Sequence, residues 1–167
     1  MDLSLNEDQK MLVEASARLN EKFIQPLLDT HQKFKGLPKE AVLQVLQKAA
    51  DLGLTAARIP EEGGGAGLKM LDYGLMVEQL PPSIMLMVQP HEATTTRIYL
   101  GGTPEQRERF VPDLIAGRII GATGSTEPDH GSDPRGIKTT ATPNDQGHLI
   151  LNGRKQWISN APVCDLI

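Results

Sequence analysis

Leu114-Ile115-Ala116-Gly117-Arg118-Ile119-Ile120-Gly121-Ala122-Thr123 is the stretch in which one kind of sequence gives way to another. Up to Gly117, apolar residues recur at helical spacing. Beyond it, Ile119–Thr123 reads as a strand, Thr139–Thr142 as a second and His148–Leu151 as a third. Asn152-Gly153 is the strongest short hairpin signal, because both central positions of a type I′ turn need positive φ, and Lys155–Ser159 is then its expected return strand. The expected fold class is α+β. An all-α N-terminal helical bundle over residues 1–117 is followed, over residues 118–167, by the opening strands of an incomplete antiparallel β domain. Four short strands with no helix to cover them leave apolar faces and sheet edges open unless more chain or a partner completes them.

The helices announce themselves by their ends. Asn6 followed by Gln9 forms a capping-box pattern, after which Leu12, Ala15, Leu19 and Phe23 share a stripe that weakens near Pro26. A second helix is expected from about Pro38, with Val42, Val45, Leu46 and Ala49 on one face and Gly53 ending it. Gly63-Gly64-Gly65-Ala66-Gly67 is expected as a loop, since so many glycines make a regular element costly in backbone entropy. Helical pattern resumes over Leu71–Leu80, breaks at Pro81-Pro82 and returns over Ser83–Leu100. Thr103-Pro104-Glu105 then supplies a capping hydroxyl, a proline at the first helical position and an acid at the positive helix end.

Composition narrows the function. The formal net charge of −4 with no basic cluster offers nothing to a phosphate backbone, so nucleic acid is not an expected partner. The single cysteine, Cys164, excludes an internal disulfide, and its simplest reading is a small half-buried apolar side chain. No metal site is expected, because His91 and His130 lack ligand partners at helical or hairpin spacing; both are expected either at the surface or behind the residues that line the site. The longest apolar run, Ile84–Val88, is far too short to span a membrane. Met1-Asp2-Leu3-Ser4 runs straight into helical pattern without a presequence, which reads as a cytoplasmic protein.

Two segments carry chemistry: Ser125-Thr126-Glu127-Pro128-Asp129-His130-Gly131-Ser132-Asp133, and Asn152-Gly153-Arg154-Lys155-Gln156-Trp157-Ile158-Ser159-Asn160. A flavin ring is flat, apolar on its faces and polar along its pyrimidine edge, so its pocket wants an aromatic wall, short hydroxyl donors and free backbone N–H groups. These motifs, with the helices, Pro-Glu-Glu and the Gly-rich turn before them, resemble the acyl-CoA dehydrogenase family along essentially the whole chain. The wording around Pro128–Pro134 is closer to glutaryl-CoA dehydrogenases. However, the helix after Pro82 lacks the arginine that would pair with a dicarboxylate's distal end.

The resemblance implies FAD as cofactor. By motif match, Thr126 resembles the threonine that hydrogen-bonds the pyrimidine edge, Trp157 the tryptophan packed against the flavin, and Ser159 the hydroxyl near N5. Ser125 and Ile158 come with them, and Thr123 lies where relatives place an aromatic or small residue beside the ring. Gly131 and Ser132 match the turn that meets the pyrophosphate, Ser132 also approaching the thioester end of the substrate. The implied reaction is α,β-dehydrogenation of an acyl-CoA thioester, with electrons passing to an electron-transferring flavoprotein. No catalytic residue is expected here, because the family's base lies in a C-terminal domain whose sequence is not present. The expected partners are therefore the remaining C-terminal half or a partner subunit, within a homo-oligomer (dimer or tetramer). Two other readings stay open: a non-catalytic scaffold subunit of a split dehydrogenase, and a flavin monooxygenase or oxidase on the same scaffold. Glu127, beside Pro128, reads as structural.

Overall fold

The computed structural model describes residues 4–32 and 35–167; Met1–Leu3, on which part of the presequence reading falls, lie outside them. Helix α1, Glu7–Leu19, opens with the expected box: the Asn6 side chain accepts from the Gln9 N–H at 2.8 Å, and the Gln9 side chain accepts from the Asn6 N–H at 3.2 Å. The weakening near Pro26 is a π turn, Asn20–Ile24, which leads into α2, Gln25–Asp29. A proline has no N–H to continue the ladder, and a wide turn ahead of it absorbs the mismatch.

Helix α3, Lys39–Ala50, follows Pro38 and buries Val42, Val45, Leu46 and Ala49. Full burial of such a valine or leucine contributes about 1.5–3 kcal/mol, so this face is a principal part of the core. Gly117 belongs to the same packing. Its φ is +64°, and a Cβ there would lie 2.6 Å from the Leu46 carbonyl carbon. The glycine thus both closes the preceding helix and lets the chain pass against α3.

The glycine-rich segment is a loop opening with a 3₁₀ turn, Glu61–Gly63. Helix α4 spans Met70–Val77 and ends three residues before the expected Leu80, while α5 spans Pro82–Gly101. Helix α6, Pro104–Ile115, has the second capping box, Thr103 with Gln106. The apolar core joins Ile24 and the α3 face to Tyr73, Met76, Ile84, Val88 and Ile120. Arg58, in the loop after α3, grips the fully buried Glu92 of α5 from Nε at 3.0 and 3.1 Å. None of the helices among the described residues is long and apolar enough to cross a membrane.

The β part matches the expected class but not every expected strand. Two strands form an antiparallel pair, β1 at Thr140–Pro143 and β2 at Leu149–Asn152, with Thr140 opposite Asn152. The turn between them is closed by Asn144, whose side chain accepts from the N–H groups of Gln146 at 3.0 Å and His148 at 2.9 Å. The hairpin therefore turns at Asn144–Gly147 and not at Asn152-Gly153. With β2 already paired to β1, residues 155–159 form no return strand. Gly153 serves close approach instead: a Cβ there would lie 2.1 Å from Thr139 Oγ1. Ile119–Thr123 forms no strand; it makes a single parallel bridge, Gly121 to Leu166, with the Ala122 N–H donating to the Leu166 carbonyl at 2.8 Å.

Candidate functional site

The site begins at Gly121, which is held from both sides. Its N–H donates to His91 Nδ1 at 3.0 Å, so Nε2 carries the ring proton and donates to the Leu114 carbonyl at 2.9 Å. Burial pushes the His91 imidazole below its ordinary pKa, which keeps it neutral and keeps Nδ1 an acceptor. On the other side, Asn160 Nδ2 donates to the Gly121 carbonyl at 3.2 Å and to the Met87 carbonyl of α5 at 2.9 Å. Asn160 has φ of +67°, a left-handed conformation that asparagine tolerates better than most residues. His91 is thus not a surface residue: it is fully buried, with both ring nitrogens paired to backbone.

From this anchor the chain runs out through Thr123, Ser125 and Thr126. The two motifs dock here: the Gln156 N–H donates to the Thr126 carbonyl at 3.0 Å, and Lys155 Nζ donates to the Ser125 carbonyl at 3.0 Å. Lys155 also donates to Glu127 Oε1 at 2.9 Å. Glu127 is buried and accepts from the N–H groups of Lys138 at 2.8 Å and Thr139 at 2.9 Å. Donation from Thr139, Lys138 and Lys155 holds its carboxyl well below the usual carboxylate range. A carboxylate so occupied is a strut between the motifs, in keeping with its structural reading.

Next to Gln156, Trp157 projects an indole that is 84% exposed, on a backbone with φ of +58°. A bulky residue in the left-handed region costs of order 1–3 kcal/mol and persists only where the surroundings impose it. Ile158 beside it is half-buried and Ser159 is exposed. Ser125, Gly131 and Ser132 are exposed and Thr126 is half-buried. Gly131 and Ser132 follow a tight turn closed by reciprocal bonds between Glu127 and His130, 2.9 Å and 3.2 Å. An exposed aromatic face, short hydroxyls and exposed turn backbone are the kinds of group from which a flavin pocket is built. Thr123 is turned elsewhere: its hydroxyl lies 2.8 Å from Thr94 Oγ1 and accepts from Arg97 Nη1 at 2.9 Å.

The sequence drew attention to His91 only as a titrating group without ligand partners and to Arg97 not at all, since both sit on a long helix and act through residues some thirty positions away. Lys155 and Asn160 stood inside the second motif, and their presence there was the available signal.

Comparison with known proteins gives a consistent result. Residues 6–118 match the acyl-CoA dehydrogenase N-terminal domain and residues 122–167 the acyl-CoA dehydrogenase middle domain. The chain is 34% identical over 164 residues to a probable acyl-CoA dehydrogenase of Bacillus subtilis, covering 96% of this chain and 27% of that protein. It superposes on butyryl-CoA dehydrogenase from Megasphaera elsdenii with a TM-score of 0.81 and 31% identity, covering 99% of this chain and 44% of that one. A glutaryl-CoA dehydrogenase from Mycobacterium smegmatis, solved in complex with FADH2, gives a TM-score of 0.83 and 29% identity, covering 96% and 41%. The chain therefore spans between about a quarter and under a half of the length of these relatives.

Proposed function

Because the chain belongs to the acyl-CoA dehydrogenase family, we propose that it is the N-terminal portion of an FAD-dependent enzyme that oxidises an acyl-CoA thioester between its α and β carbons. The observation that carries the proposal is the 3.0 Å bond from the Gln156 N–H to the Thr126 carbonyl, which sets the exposed indole of Trp157 beside the Thr126 segment. Trp157 and Ile158 supply the apolar wall, and Ser125, Thr126 and Ser159 the short polar groups. Gly131 and Ser132 offer turn backbone to phosphate oxygens, and Ser132 stands at the thioester end of the substrate. When bound, FAD supplies the hydride acceptor.

The proton-abstracting base belongs to polypeptide beyond this chain. A general base for an α-proton needs a carboxylate that is free to accept it. Glu127 is held by three donors and Glu92 by Arg58. Burial raises the pKa of Asp165, but Lys39 and the Ile120 N–H outweigh it and hold the carboxyl below its ordinary value. The site also needs a cover, because every residue of β1 and β2 is exposed, including Leu149, Ile150 and Leu151. The remaining C-terminal half, or a partner subunit within a dimer or tetramer, provides it. An electron-transferring flavoprotein then takes the electrons.

The assay mixes the chain with FAD and a complementing C-terminal half and follows the visible flavin band. Acyl-CoA added anaerobically should bleach it, and the colour should return with an electron-transferring flavoprotein faster than with air. Bleaching by the chain without its complement would contradict the placement of the base. Rapid return in air alone would favour an oxygen-using flavoenzyme, and no flavin binding by the complemented assembly would leave a scaffold.

A further inference from the structure

The turn that ends the second motif demands one property of residue 160 and uses two. The Ala161 N–H donates to the Ile158 carbonyl at 3.2 Å, closing a turn over Ser159 and Asn160, and Asn160 is its third residue at φ of +67°. Glycine or asparagine fills such a position, and glycine does so at lower cost. The asparagine adds a carboxamide, and both of its protons are spent. Nδ2 donates to the Met87 carbonyl of α5 at 2.9 Å and to the Gly121 carbonyl at 3.2 Å. Both partners can only accept, so the amide faces them with its nitrogen. Pro90, inside α5, has no N–H, which loosens the ladder of that turn and lets an outside donor reach the Met87 carbonyl. Gly121 is held in turn by the same helix, its N–H donating to His91 Nδ1 at 3.0 Å.

We infer, on the premise that the two motifs line the flavin, that Asn160 is a positioning residue whose carboxamide keeps Trp157, Ile158 and Ser159 in register with residues 121–126. On one side the segments meet through the Gln156 N–H and the Thr126 carbonyl at 3.0 Å. Asn160 ties the same two segments together a second time, with Trp157, Ile158 and Ser159 held between the two ties. A stretch so short and pinned at both ends has little freedom, so the indole and the Ser159 hydroxyl keep their spacing from Thr126. Removing one tie lowers the population in which both walls are aligned, and apparent FAD affinity falls by the same fraction. Two hydrogen bonds of ordinary net strength put that loss at about tenfold or more.

The test measures FAD affinity by equilibrium dialysis of the chain complemented by its C-terminal half, with urea midpoints taken alongside. Asn160→Gly keeps the turn and removes the amide; it should stay folded and bind FAD about tenfold more weakly or worse. Asn160→Asp keeps the shape but turns an oxygen toward two carbonyls, so near neutral pH it should bind more weakly still. Those carbonyls raise the pKa of the introduced carboxyl, which takes up a proton as pH falls toward about 5 and can then donate. The affinity of Asn160→Asp relative to Asn160→Gly should therefore rise on acidification, and His91, present in both, cancels from the ratio. Val45→Ala, which leaves a small cavity in the buried face of α3, should lower the urea midpoint and leave FAD affinity unchanged. Wild-type affinity in Asn160→Gly, its unfolding, an equal loss of affinity in Val45→Ala, or a ratio that ignores pH would each overturn the inference. Absence of FAD binding by the wild-type assembly would instead overturn the flavin reading, and the role of Asn160 with it.

Discussion

Replacing His91 by alanine isolates the contact on which the geometry of the site depends. The imidazole accepts from the Gly121 N–H at 3.0 Å and donates to the Leu114 carbonyl at 2.9 Å in a fully buried position. Deleting it leaves two buried backbone groups unpaired at about 1–3 kcal/mol each, offset in part if water enters the space, so a net loss of about 3 kcal/mol is expected. His91→Gln retains one donor and one acceptor and should recover about half of that loss. Urea unfolding at neutral pH, monitored by far-UV circular dichroism, gives both values. The pH dependence provides a second reading. The folded-state pKa lies below the ordinary histidine value of 6.5, so the unfolded chain binds a proton that the folded chain does not. Stability should therefore fall as pH drops below 6.5 toward the folded value, by at most about 1.4 kcal/mol per pH unit. His91→Gln should lack this component, and subtracting the two curves removes the other three histidines. A cost below about 1 kcal/mol for His91→Ala, or identical acid limbs in wild type and His91→Gln, would refute the reasoning.

Three further substitutions probe the frame behind the site. The Tyr73 hydroxyl is buried without a hydrogen-bond partner, so Tyr73→Phe should stabilise the chain by about 1 kcal/mol; a clear drop in the urea midpoint would reveal a partner for it. Gly117→Ala places a side chain at φ +64° against the Leu46–Gln47 backbone. It should cost at least about 1–2 kcal/mol in chemical unfolding from the left-handed conformation alone, and an unchanged midpoint would contradict that packing. Arg58→Met leaves Glu92 charged, fully buried and without its bidentate partner. The loss should lie toward the low end of about 3–5 kcal/mol, because the Arg58 side chain is partly solvated, and a double variant with Glu92→Gln should recover some of it in the same assay.

What the sequence disclosed was chiefly local. The capping box at Asn6, the capping hydroxyl of Thr103, the start of α3 after Pro38 and the stop at Gly117 are settled by residues within a few positions of one another, and they read correctly. Pairing between strands is not local. Asn152-Gly153 is the stronger turn signal taken alone, but Asn144 closes its turn with two side-chain bonds and brings β1 onto β2 first in the chain, leaving residues 155–159 with no strand to join. The second motif consequently meets the first through single bonds at Thr126, Ser125 and Glu127 instead of through a ladder. The closeness of the two motifs was legible only because their wording resembles a known family. The clamp of His91 and Asn160 on Gly121 and the contacts of Arg97 and Thr94 with Thr123 are invisible to periodicity, since each joins residues far apart in the chain, and the left-handed backbone at Trp157 goes against the habit of a bulky residue.

Trp157 is the only tryptophan in the chain, and its indole is 84% exposed, so its fluorescence reports on whatever covers it. Titration of the chain with FAD, using N-acetyltryptophanamide to remove absorption by the ligand itself, tests most directly that the two motifs form one wall for the flavin. Saturable quenching of the indole that FAD produces and adenosine diphosphate does not, and that weakens when Thr126→Val is introduced, is the predicted result. Emission that stays level as FAD rises would contradict it.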